Sequence, residues 1–238
     1  MVTVKLSFDK FKSKNVNEDK LFCLVAGIRG SGKSTVLGTL NLPTLVIASS
    51  LESHAVNAAR VFGGDNIMHT LYDVDEATGK QLKADVAMQN LHDILDFLIA
   101  SEDLADNVQV IALGSVSAVD KTLLETTRIA QEKNGFESMK IMEQEHFRII
   151  KKLKELHRKG MHIVVTMPIL GSFDDEGFYM SARPEIRGVT ATSNIAGIFG
   201  EVLVCAKINQ EHVFQMDLLI KKTGKEVSGE KKEIAFHP

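Results

Sequence analysis

Apolar residues along the chain fall into two patterns: short unbroken runs, and longer stretches in which they recur every three to four positions. The runs Leu21–Ala26, Thr44–Ala48, Val108–Leu113 and Met161–Met167 read as buried strands, and Asn66–Tyr72 as a further short one. Helical spacing predicts helices over Lys33–Leu40, Lys83–Ser101, Val119–Glu132 and Ser138–Lys159, with Gly160 closing the last. That last helix would carry Met139, Met142, Ile149, Ile150, Leu153 and Leu156 on one side, which is core spacing rather than a methionine-rich site. Residues 2–8 alternate as a short strand, and 9–20 form a polar lead-in. Toward the other end, Pro168–Gly188 reads as a hairpin around Asp174-Asp175-Glu176-Gly177. Phe199–Ile208 and His212–Ile220 read as two strands joined by a turn. Strands alternating with helices, then a β-meander, predict a single α/β domain over residues 1–238. It would have a mostly parallel sheet flanked by helices, a C-terminal antiparallel extension and a basic tail from Lys221.

Composition narrows this picture only slightly. At 238 residues one large core suffices. Charged residues make up 25% and the net charge is −3, so no global basic field marks an obligate nucleic-acid binder. Cys23 and Cys205 lie in apolar runs and read as small core residues rather than a disulfide or metal pair, in keeping with a reducing cytoplasm. No window approaches the roughly 18 apolar residues of a membrane span, and the N-terminus lacks the apolar centre of a signal peptide. The expected location is the cytoplasm, with no membrane partner.

Chemistry concentrates at Gly27-Ile28-Arg29-Gly30-Ser31-Gly32-Lys33-Ser34-Thr35. This is the complete G-x-x-x-x-G-K-S phosphate-binding loop between an apolar run and a helical pattern. The glycines permit backbone conformations that let successive N–H groups surround a phosphate chain. Lys33 would reach the terminal phosphates, the Ser34 hydroxyl would ligate Mg2+, and Arg29 adds a charge within the loop. The expected ligand is ATP with Mg2+. After the second strand, Ser49-Ser50-Leu51-Glu52-Ser53-His54 places polar groups where open α/β sheets bind ligands. Glu52 is a candidate to orient an attacking water, or else an acid in the first turn of a helix. Asp73, Asp75 and Glu76 read as a solvated acidic turn. The cluster Lys151, Lys152, Lys154, Arg158 and Lys159 reads as a solvated helix end.

The order of elements from Leu21 to Lys222 resembles the RecA-like P-loop ATPase core. It is similar in particular to small phage ATP-binding proteins of the recombinase or single-strand-annealing type. VQVIALGSVSAV resembles the family's third strand, GMHIVVTMP its fourth with a polar end at Thr166 or Met167, and ARPEIRG with FGEVLVCAKI its later segments. The resemblance implies ATP hydrolysis in DNA recombination or replication, single-stranded DNA as a partner, a host cytoplasm, and a homo-oligomer in which Lys221 or Lys222 reaches a neighbour's nucleotide. The chain departs from the family where the metal-shell Asp belongs, because Gly114 stands there. Asp120, six residues on, would replace it only with a rearranged strand end. Three readings follow: a DNA-directed ATPase, a nucleotide-binding protein with little hydrolysis, and a small-molecule kinase.

Overall fold

The computed structural model describes residues 20–173, 179–185, 196–208, 211–216 and 234–235. The expected strand at residues 2–8, the turn at Asp174–Gly177, and Lys221 and Lys222 lie outside them. In chain order the elements are β1 (Phe22–Gly27), α1 (Lys33–Thr39), β2 (Thr44–Ala48), α2 (Ser53–Gly63), β3 (Ile67–Leu71), α3 (Ala84–Ala100), α4 (Leu104–Asn107), β4 (Val110–Leu113) and α5 (Val116–Glu125). There follow α6 (Thr127–Ala130), α7 (Gly135–Arg158), β5 (His162–Phe173), β6 (Tyr179–Pro184), β7 (Glu201–Ile208), β8 (Glu211–Met216) and β9 (Ile234–Ala235).

Six strands run parallel in the order β3-β2-β4-β5-β1-β7. β8 lies antiparallel to β7, pairing Leu203 with Met216 through Ile208 with Glu211, and β9 pairs with β8. β1 sits between β5 and β7, and all six of its residues are buried, which is why it reads as a run without alternation. Two cores result. One face, with Ile111, Leu113, Ile163 and Val165, packs on α3, α5 and α7. The other, with Val25, Val46, Ala112 and Val164, packs on α1 and α2. In α3 the buried positions Ala87, Met88, Leu91, Leu95 and Leu98 follow the helical repeat. Fully buried leucines such as Leu91 and Leu95 each contribute about 1.5–3 kcal/mol. No helix among the described residues is long and apolar enough to cross a membrane.

Several details differ from expectation. The helix expected from Val119 starts at Val116, directly after Ser115, and breaks at Thr126, whose backbone is extended. Asp85 of α3 accepts from the Thr127 N–H at 3.1 Å and from its hydroxyl at 2.5 Å, capping α6 separately. On α7, Met142, Ile149, Ile150, Leu153 and Leu156 are buried as expected, whereas Met139 is 47% exposed and does not join the core. β5 runs six residues past Met167 and pairs antiparallel with β6 from Ile169–Pro184 onward. The His162 N–H of β5 donates toward β4, to Gln109, and the Ile163 N–H toward β1, to Leu21. Alternation then turns the Pro168 nitrogen toward the β4 side, where β4 has already ended at Leu113, so the missing donor costs no bond to β4.

Candidate functional site

The carboxyl ends of β1, β2, β4 and β5 lie side by side, and the glycine-rich loop rises from the first. Gly30 and Gly32 adopt positive φ, 77° and 94°, turning the chain from strand into helix. Gly27 is required for closeness: a Cβ there would lie 2.4 Å from Ser31 Oγ and 2.7 Å from the Cys205 carbonyl of β7. The buried Ser31 hydroxyl donates to the Ile28 carbonyl at 2.8 Å and draws the loop together. Arg29 and Gly30 are exposed at the tip, and Gly32, Lys33, Ser34 and Thr35 are half-buried.

Lys33 folds back across this loop. Its ammonium donates to the carbonyls of Gly27 at 2.9 Å and Ile28 at 2.7 Å. Burial pulls it below the ordinary lysine range, while nearby negative charge, including Glu52 and Glu185, opposes the shift. Cys205 also lies near, but burial pushes its thiol up to about 12, so at neutral pH the carboxylates are the anions that count. Cys23 is likewise pushed up to about 12, and both cysteines are buried and form no disulfide, as core residues should be. The donor set fits a polyphosphate. It combines a desolvated ammonium with a glycine turn opening onto helix N–H groups that have no partner within the helix. The Ser34 hydroxyl in the first turn has the chemistry of a Mg2+ ligand.

Glu52 lies in a short 3-10 turn after β2, half-buried, and Asp73 holds that turn in place. Asp73 is not part of a solvated acidic turn, because it is 3% exposed. It accepts from Ser49 Oγ at 2.6 Å, the Ser50 N–H at 2.7 Å and Ser50 Oγ at 2.8 Å, so it is buried with its partners supplied. The Glu52 N–H donates in turn to the Ser49 carbonyl at 2.9 Å. Sequence reasoning missed this role because an acidic triplet in a loop reads as solvent-facing.

At the end of β4, Gly114 donates its N–H to the Ile47 carbonyl at 2.7 Å. Ser115 then takes φ 51°, and its N–H is received by Thr166 Oγ1 at 2.8 Å. Thr166 shares strand parity with Val164 on the α1 side, whereas Met167 belongs to the opposite core, so Thr166 is the polar residue of β5 on that side of the sheet. Asp120 is on α5, buried, with Oδ1 3.4 Å from His146 Nε2 of α7. His146 also bonds the Met142 carbonyl through Nδ1 at 2.8 Å. Asp120 is thus committed to the α5–α7 interface and does not stand in at the end of β4.

Two residues of the basic cluster Lys151, Lys152, Lys154, Arg158 and Lys159 are engaged. Lys152 bonds Asp96 at 2.7 Å and the His92 carbonyl, and Lys159 bonds the carbonyls of Ile99 and Ser101. Among the described residues no group of His, Cys, Asp and Glu forms a metal cluster. A groove of about 480 Å3, edged by Asp75, Glu76 and Asp93, lies between the loop after β3 and α3, outside the glycine-rich loop. No protein-family model and no curated protein matches the chain. The class that the architecture defines is an α/β protein with a mostly parallel sheet flanked by helices.

Proposed function

We propose that the chain is a RecA-like P-loop protein that binds Mg-ATP at Gly27–Thr35 and hydrolyses it slowly. The observation that carries this reading is the posture of Lys33. Its ammonium is held at the loop mouth by two carbonyls that a phosphate can replace. Bound Mg2+ supplies charge neutralisation to the phosphates, and Ser34 is the side chain that would hold it. Glu52, presented by the Asp73-pinned turn, is the candidate to orient water. Gly114 leaves the third strand without an acid, which favours slow turnover over rapid catalysis.

A role beside single-stranded DNA, and assembly into an oligomer with Lys221 or Lys222 in a neighbour's site, belong to this proposal through the resemblance of the element order. Light scattering with ATP and DNA tests the assembly, and a strictly monomeric mass rejects it. The nucleotide site is tested by calorimetry. Lys33→Ala removes a charge-assisted contact of on the order of 1.5–3 kcal/mol, so ATP affinity should fall about ten- to hundred-fold. Equal affinity in both proteins refutes the assignment.

A further inference from the structure

The parallel sheet leaves an opening at the end of β4, and the chain fills it from elsewhere. β4 ends at Leu113, opposite Val165, and the strained Ser115 turns the chain away into α5. Beyond that point the β4 side of β5 would be bare. The hairpin β5–β6 occupies it: after Arg183 and Pro184, which pair with Leu170 and Ile169, Glu185 donates its N–H to the Pro168 carbonyl at 2.9 Å. The Pro168 carbonyl points to the β4 side by the alternation fixed at His162 and Ile163. On its other side Pro168 is the register partner of Gly27, the first residue of the glycine-rich loop. Glu185 therefore stands in the line of β4, just beyond Gly114, one strand away from the loop. It is exposed to solvent, which leaves its carboxylate accessible to a ligand.

We propose that Glu185 supplies, from the β5–β6 hairpin, the carboxylate beside the glycine-rich loop that β4 lacks at Gly114, acting as a positioning residue for Mg2+ on bound nucleotide. The proposal rests on the Mg-ATP reading above. A carboxylate in this place holds metal-bound water and repels metal-free phosphate, so it should strengthen the magnesium requirement rather than overall nucleotide affinity.

It is tested on the full chain by calorimetry of ATP binding across a magnesium titration and with chelator. Glu185→Gln should raise the magnesium midpoint about three- to ten-fold, with metal-free ATP binding unchanged or tighter. An unchanged midpoint, in a protein whose ATP binding depends on Lys33, overturns the role of Glu185 alone. If the wild type binds no ATP, the nucleotide reading and this role fall together.

Discussion

Gly114 follows β4 beside Ala48 of β2, and its lack of a side chain is a packing fact as well as a chemical one. A Cβ there would lie 3.2 Å from the Ala48 Cβ and 3.4 Å from the Ile47 carbonyl. Gly114→Ala should therefore cost about 1–2 kcal/mol in urea unfolding, a typical overpacking penalty. Ala48→Gly in the same chain should recover much of it, because the two sites are in contact. Additive losses in the double variant would show that the crowding is elsewhere. It follows that restoring an acid by Gly114→Asp alone confounds chemistry with packing, and Ala48→Gly/Gly114→Asp is the variant to assay. At this scale the loop residues were legible because they are contiguous and each has a stated conformational or ionic job. Asp73 and Asp120 were not, since burial in each depends on partners far along the chain: Ser49 and Ser50 for one, His146 for the other.

Among the elements, strands whose neighbours lie on both sides were read closely, and β2 was read to the residue. Errors gathered where one element depends on another. β5 runs on past Pro168 because β6 arrives to pair with it, and the helix after β4 breaks because Asp85 of α3 caps Thr127. The α3–α7 contact carries a pH dependence of its own. His92 Nε2 lies 3.0 Å from Glu145 Oε2, and burial holds the imidazole below its ordinary 6.5, outweighing the carboxylate. Burial pushes Glu145 up, but Arg148 at 2.6 Å and His92 together hold it below its ordinary 4.5. The signs agree. Just below 6.5 the unfolded chain takes up a proton that folded His92 refuses, and below 4.5 unfolded Glu145 protonates first. Stability is thus full above 6.5 and lost on acidification in two stages. His92→Gln should flatten the urea-unfolding profile just below 6.5 relative to wild type while keeping the loss below 4.5. An unchanged difference curve across that window would mean that His92 titrates alike in both states.

For the molecule as a whole, the sheet order brings the glycine-rich loop, Glu52, Thr166, Gly114 and Glu185 to one end of the strands, although they span most of the chain. The strand line that carries Glu185 to this end could not be read from sequence, because it requires knowing that β5 lies between β4 and β1. This assembly is expected to bind Mg-ATP and turn it over slowly, below about 10−2 per second, since positioning and charge neutralisation supply nearly all of phosphoryl-transfer catalysis. Glu52→Gln should lower that turnover further. Asp120→Asn should act on stability instead, because Asp120 is buried against His146. Single-stranded DNA separates the two nucleotide readings: a DNA-directed ATPase turns over faster when DNA is added and loses that response at higher salt, as phosphate contacts are screened. A nucleotide-holding protein shows no response. Lys152 and Lys159 are engaged by α3, so their replacement should weaken folding; a DNA response carried by α7 should instead be sensitive to the exposed Lys151 and Arg158. Rapid wild-type hydrolysis, indifferent to Glu52→Gln and abolished by Asp120→Asn without loss of fold, would overturn this arrangement and move the essential carboxylate to α5.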